Sequence, residues 1–200
     1  MAGIRLIVGV GNPGPRYEGT RHNVGAWWVE TLAARFAIGL APDARFKGII
    51  GRGCISGVDV RLLVPTTYMN LSGQAVGAMA GFFKMAPNEI LVAHDEVAFP
   101  VGVAKLKVDG GHNGHNGLKS IVSSLGNAAG FSRLRIGVGH PGADRLVGYL
   151  TSVRMPRADR ELVAASIDMD DRLLGEILNG EMQQAMNRFH APEDSAKDAR

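Results

Sequence analysis

The sequence predicts an α/β layer fold on two observations. Short β-rich runs alternate with segments of helical period, and the chemically loaded stretches come straight after the runs. At 200 residues and 46% hydrophobic content, the chain is sized for one domain with a full core. No signal-peptide pattern opens it, and no apolar run approaches the ~18 residues of a membrane span, so a soluble, non-exported protein is expected. The domain is expected over 1–190. The closing stretch "APEDSAKDAR" lacks apolar anchors and is expected as a flexible tail over 191–200.

Strands are predicted at 5–10, 48–55, 58–64, 90–93, 103–108 and 134–138, all rich in aliphatic or β-branched residues. "SGVD", from Ser56 to Asp59, is a turn that joins two of them as a hairpin. A helix is predicted over 24–37, where Val24, Trp28, Leu32 and Phe36 recur every four residues. Others are predicted at 72–84, with Ser72 placed as its cap, and at 117–125. From Pro156 onward the chain reads helical, with Leu162, Leu173, Ile177, Met182 and Met186 on apolar faces and Asn179-Gly180 dividing the segment in two.

The single cysteine, Cys54, excludes an internal disulfide and a multi-thiolate zinc site. Net charge is +3 but uneven: residues 1–158 carry 17 Lys/Arg against 9 Asp/Glu, and residues 159–200 carry 5 against 10. A basic body with an acidic end is consistent with a polyanionic partner, and equally with ordinary solvated charge.

The first loop contains Gly9-Val10-Gly11-Asn12-Pro13-Gly14, the spacing of a dinucleotide-binding turn. That chemistry needs a helix to open at the glycines, facing a pyrophosphate. Pro13, Gly14, Pro15 and Gly19 forbid one, and no acidic residue ends a second strand at the required distance. The loop carries Asn12, Tyr17, Arg21, His22 and Asn23 instead, and its glycines are expected to let the backbone turn sharply after the strand.

Four further stretches follow strands in the same way: "TTYMN", "HDEV", "GGHNGHNG" and "HPG". In open α/β sheets ligands bind beyond the carboxyl ends of the strands, so these loops are expected to form one cleft. It would hold His22, His94, His112 and His115, the carboxylates Asp95 and Glu96, and the amides Asn12, Asn23, Asn70, Asn113 and Asn116. With no G-x-S-x-G elbow, the pattern points to water as nucleophile, a histidine as base and a carboxylate fixing its tautomer. The amides could place the water or stabilise an oxyanion. The rival is a metal site built on His112-x-x-His115 with His94-Asp95, although that spacing lies among glycines rather than on a helix. Lys105 and Lys107 alternate on one strand, and Arg133 and Arg135 on another, as a phosphate-binding patch or a solvated face. Tyr17 and Tyr68 could stack on a base or serve as packing.

Taken together, "VGVGNPGPRYEGTRHNVG", "PTTYMNLSG", "ILVAHDEV", "GGHNGHNGLKS" and "RLRIGVGHPG" resemble, in order and spacing, the motifs of the bacterial peptidyl-tRNA hydrolase family, from about Leu6 to the C-terminal helices. The resemblance implies a cytoplasmic, monomeric α/β enzyme with a twisted mixed sheet flanked by helices and its cleft at the carboxyl ends of the strands. It implies cleavage of the ester between a peptide and the 3′-terminal ribose of tRNA, with no metal, cofactor, membrane or obligate protein partner. His22 matches the general base and Asp95 the carboxylate that orients it. Asn12 matches the residue that separates blocked from free aminoacyl groups. Asn70 and Asn116 match amides holding the substrate end and the water, Tyr17 and Tyr68 match contacts to the tRNA terminus, and His115 matches a supporting position. Lys105, Lys107 and Arg135 fall where phosphate contacts are placed. The chain departs from the pattern after "HDE", where Leu-Asp, a hydrophobic residue and Pro-Pro-Gly are common. Here Val97-Ala98-Phe99-Pro100-Val101-Gly102 drops one carboxylate, and Asp109 stands where a third glycine is common. Both changes bear on loop mobility and tRNA affinity more than on the reaction.

Overall fold

The computed structural model describes residues 2–191, so the predicted tail, apart from Ala191, lies outside the described residues. Seven strands, β1 (Leu6–Gly9), β2 (Ala41–Asp43), β3 (Gly48–Ile55), β4 (Val58–Pro65), β5 (Ile90–Glu96), β6 (Ala104–Val108) and β7 (Ser132–Gly137), form one sheet in the order β2-β3-β4-β1-β5-β7-β6. The four strands β4, β1, β5 and β7 run parallel, while β2, β3 and β6 pair antiparallel with their neighbours. The helices are α1 (Val24–Arg35), α2 (Ser72–Phe82), α3 (Asn116–Ser124), α4 (Leu146–Thr151), α5 (Arg157–Ser166), α6 (Asp171–Leu178) and α7 (Met182–Phe189).

Strand alternation sorts the core into two layers. Ile7, Leu62, Leu91, Ala93 and Leu134 pack with Trp28, Leu32 and Ile177 on one face. Leu6, Val8, Leu63, Ile90 and Val92 pack with Val76, Met79, Leu118 and Ile121 on the other. With both faces covered, the central strands are apolar throughout, which is why they read as continuous runs. The chain leaves β1 for one face and β4 for the other, and a crevice opens between such neighbours at their carboxyl ends.

Several elements differ from the sequence expectation. β5 continues through His94, Asp95 and Glu96, because Asp95 and Glu96 find ladder partners in Ile136 and Gly137. Backbone pairing overrides side-chain polarity there, so the "HDE" stretch is rigid strand rather than loop. β2 was not expected, and Pro42 is tolerated because β2 is an edge strand. Beyond Pro156 the described residues form three helices, not two. The additional break precedes Asp170, whose side chain caps α6 by accepting from Leu173 N at 2.7 Å. Leu173, Ile177 and Met182 are buried, whereas Leu162 is exposed. Ser72 is not a cap: the 3-10 turn Met69–Leu71 runs directly into α2, and Ser72 Oγ donates back to Met69 O at 2.9 Å.

The loop glycines also act differently from expectation. Gly9 lies within β1, and a Cβ there would meet Gly25 O at 2.3 Å. A Cβ on Gly25 would meet Ala93 O at 2.2 Å. These two glycines let the first turn of α1 lie directly on β1 and β5, and Gly14, with φ at +97°, makes the sharp turn. Replacing Gly25 by Ala is expected to cost about 3 kcal/mol, read as a lower denaturant midpoint at unchanged slope. A loss below ~0.5 kcal/mol would contradict the close approach.

Candidate active site

After β1 the chain loops through Asn12 and closes a 3-10 turn, Arg21–Asn23, that leads straight into α1. This turn carries His22 to the end of β5, where its Nδ1 lies 2.8 Å from Asp95 Oδ1. The same carboxylate oxygen lies 3.0 Å from His115 Nε2. His115 precedes α3 as its N-cap, and its Nδ1 accepts from Gly117 N at 3.1 Å and Leu118 N at 3.3 Å. These bonds select the tautomers. A His115 that accepts at Nδ1 donates its hydrogen from Nε2 to Asp95, and His22 donates from Nδ1. The lone pair of His22 is therefore on Nε2, on the ring edge away from the carboxylate, and His22 lines the cleft.

The electrostatics follow from this geometry. Burial alone would push His22 down, but the charge and hydrogen bond of Asp95 together outweigh it and raise His22 above its ordinary 6.5. Burial would raise Asp95, yet the two imidazoles hold it well below the ordinary 3.8. His94 lies behind them, donating from Nδ1 to the Asp95 carbonyl at 2.7 Å. Burial, followed by the neighbouring His115, pushes His94 down to about 3, so it stays neutral. His112 lines the outer cleft, where its Nδ1 accepts from Gly114 N at 3.2 Å.

The donor atoms of His22, Asp95 and His115 lie within 4.8 Å of one another, close enough for a metal. Ligand nitrogens must present lone pairs, however, and both inward nitrogens carry the hydrogens that bridge to Asp95. The one lone pair of His115 is turned to the start of α3. The donor set fits a proton-bridged trio and not a cation.

Asn12 is held by three bonds. Its backbone N donates to Asn23 Oδ1 and Asn23 Nδ2 donates to its carbonyl, both at 2.9 Å, while its own Oδ1 accepts from Met69 N at 2.8 Å. Among the described residues its Nδ2 has no hydrogen-bond partner. Asn23, the residue next to His22, thus ties the Asn12 loop to the His22 turn, and Met69 ties it to the turn bearing Tyr68 and Asn70. Tyr17 and Tyr68 meet edge to face at 6.4 Å, and Tyr68 is 57% exposed. Asn116, exposed, is the first residue of α3.

On β6 and β7, Lys105 faces Arg135 and Lys107 faces Arg133 across the ladder. The four residues are cross-strand neighbours, but their settings differ. Arg133 is buried and donates to the carbonyls of Gly110, Ala129 and Phe131, so it holds the glycine loop and is not offered to a phosphate. Arg135 pairs through Nε with Glu96 Oε2 at 3.0 Å, and Lys105 is exposed. Because β6 is antiparallel, its carboxyl end lies at the far end of β7, and the loop from Asp109 to His115 climbs back to reach Asp95. Asp109 turns this loop with φ at +60°, a conformation a glycine adopts without strain.

The cleft encloses about 310 Å³. It brings together His22, Asp95, His115, Asn116, Lys107 and Arg135, with His94 and Glu96 in its wall. Asn12, Tyr17, Tyr68 and Asn70 lie on adjoining loops, and Lys105 on the outer side of the patch. The far wall is α4, through Leu146, Val147 and Leu150, a helix the sequence reading missed. Its signal was three apolar residues after Asp144, too few for a period. α4 is tied to the His22 turn: Tyr149 Oη donates to Val138 O at 2.6 Å, and the Arg21 guanidinium lies 4.0 Å over the Tyr149 ring while pairing with Asp159 at 2.7 Å.

An α/β sheet with a carboxylate-anchored imidazole at its crevice has the architecture of a hydrolytic enzyme. Comparison with known proteins makes the class specific: this chain belongs to the peptidyl-tRNA hydrolase family, whose profile matches residues 6–198. It is 52% identical over 191 residues to peptidyl-tRNA hydrolase of Pseudomonas aeruginosa strain LESB58, covering 96% of this chain and 98% of the relative. The Pseudomonas fluorescens SBW25 protein of that name is 54% identical over 191 residues, with the same coverage. The crystal structure of peptidyl-tRNA hydrolase from Acinetobacter baumannii superposes with a TM-score of 0.90 at 47% identity, covering 96% of each chain.

The pairing has a signed pH signature. A raised His22 stabilises the fold fully below 6.5, and that contribution is lost as pH rises through its folded value. A depressed Asp95 stabilises above 3.8, and that contribution is lost as pH falls through its folded value. Asp95→Asn is therefore expected to bring the NMR titration midpoint of His22 to 6.5 or below, since burial then acts alone. Its stability deficit should be larger near pH ~5.5 than near pH ~8.5. An unchanged midpoint would show that Asp95 does not set the His22 proton.

Proposed function

We propose that this protein hydrolyses the ester joining a peptide, or an N-blocked amino acid, to the 3′-terminal ribose of tRNA, and so recycles peptidyl-tRNA released from aborted translation. The observation that carries the mechanism is the pair of imidazole contacts on Asp95 Oδ1, from which the tautomers follow that leave a basic lone pair on His22 Nε2. Water attacks the ester carbonyl carbon as Nε2 takes its proton, and Asp95 stabilises the resulting imidazolium. The tetrahedral oxyanion then collapses, the bond to the ribose 3′-oxygen breaks, and His22 returns the proton to that oxygen. The products are a free carboxylic acid and tRNA with a 3′-hydroxyl. His115 supports the base by sharing Asp95. No cofactor or metal enters these steps.

In this reading Asn12 presents Nδ2 to the acyl group beside its blocked nitrogen, and Asn70 and Asn116 hold the substrate end and the water. Tyr17 and Tyr68 offer aromatic surface to the terminal nucleotides, where base–aromatic stacking is worth about 1–3 kcal/mol. Lys105, Lys107 and Arg135 take the phosphates of the acceptor end. No helix among the described residues is long and apolar enough to cross a membrane. The working form in this reading is a cytoplasmic monomer with peptidyl-tRNA as its partner.

The test is release of N-blocked amino acid from charged tRNA in excess EDTA, with unblocked aminoacyl-tRNA in parallel. Cleavage of the blocked ester alone is expected, and chelator-sensitive turnover would contradict the mechanism. His22→Ala should lower kcat by about 10²–10⁴-fold while tRNA binding survives. A variant that keeps its rate would remove His22 from the base role.

A further inference from the structure

Lys105 and Arg135 stand directly opposite each other on β6 and β7. Two like charges so placed repel and would splay their side chains. The loop between β5 and β6 supplies the remedy. Phe99 lies beneath both cations, with Arg135 Cζ 4.3 Å and Lys105 Nζ 5.6 Å from its ring centroid. Its backbone is fixed, since its N donates to Glu96 O at 3.4 Å and its O accepts from Gly139 N at 2.9 Å. A Cβ on Gly137 would meet Phe99 Cβ at 2.9 Å, so the ring is held close against the end of β7. Arg135 is anchored on its other side by Glu96, while neighbouring Ala98 carries no charge.

We infer that Phe99 is a positioning residue for tRNA binding, a π platform that holds Lys105, unpaired among the described residues, beside Arg135, which Glu96 already anchors. The inference rests on the proposed role of these two cations as phosphate contacts. A second carboxylate in this place would order Lys105 by neutralising it, whereas the negative face of a ring attracts both cations and leaves the charge of Lys105 for the phosphate.

Binding of deacylated tRNA, followed by fluorescence anisotropy, tests this with four variants and the combination of two of them. Phe99→Leu is expected to weaken binding about three- to ten-fold, with the loss in turnover falling on KM rather than kcat. Replacing the Phe99 ring with 3,4,5-trifluorophenylalanine, which keeps the shape and weakens the negative face, should weaken binding in the same direction, and Phe99→Tyr should bind as the parent does. With Lys105 and Arg135 both changed to Ala, binding should fall and Phe99→Leu should add nothing further. If the double alanine variant binds tRNA as the parent does, the phosphate reading itself fails, and the platform with it. If that variant binds weakly but the fluorinated ring binds as the parent does, the cations contact tRNA and the platform inference is overturned.

Discussion

A carboxylate buried as completely as Asp95, with 1% of its side chain exposed, has to be met by donors or give up its charge. Here two imidazoles meet it on one oxygen, and each is oriented by a different part of the chain. His22 is brought by the turn before α1, and His115 by the start of α3, whose backbone N–H groups take its other nitrogen. The consequence runs outward from that oxygen. Because both inward nitrogens donate, the lone pairs point elsewhere: that of His115 into the protein and that of His22 away from the carboxylate. The same charge that is expensive to bury thus selects a base and excludes a cation.

The fold delivers these groups by close approach. Gly9 and Gly25 let α1 lie on the sheet, so the turn before it falls at the level of Asp95, on the face where Leu91 and Ala93 already point. Asn23 and Met69 bind the Asn12 loop into the same unit. Arg21, next to His22, carries the connection to α4 and α5 through Tyr149 and Asp159, so the far wall of the cleft and the base share one support. On the other side the β6–β7 cations divide: Arg133 holds a loop, Arg135 pairs with Glu96, Lys107 is half-buried in the cleft wall and Lys105 is exposed.

Much of this was legible in the sequence where local chemistry decides. The central strands announced themselves because both faces are buried, and the hairpin at Ser56-Gly57 because both residues adopt positive φ. The site residues were legible as a set because Asn and His stand after strand after strand. Their connections were not. Nothing local says that His115 rather than His94 reaches Asp95, since that depends on how far the loop after β6 climbs back. β5 was read too short because its last three residues are polar and owe their strand to β7. α4 has too few turns to show a period, and Arg133 looks like a surface cation until the loop carbonyls around it are seen.

The tautomers are the point at which sequence, fold and chemistry meet, and imidazole 15N chemical shifts read them directly. With His22 and His115 assigned in uniformly labelled protein above the titration of His22, the account predicts a hydrogen on His22 Nδ1 with a bare Nε2, and the reverse for His115. A bare Nδ1 on His22, or a hydrogen on His115 Nδ1, would contradict the arrangement around Asp95 and with it the assignment of the base.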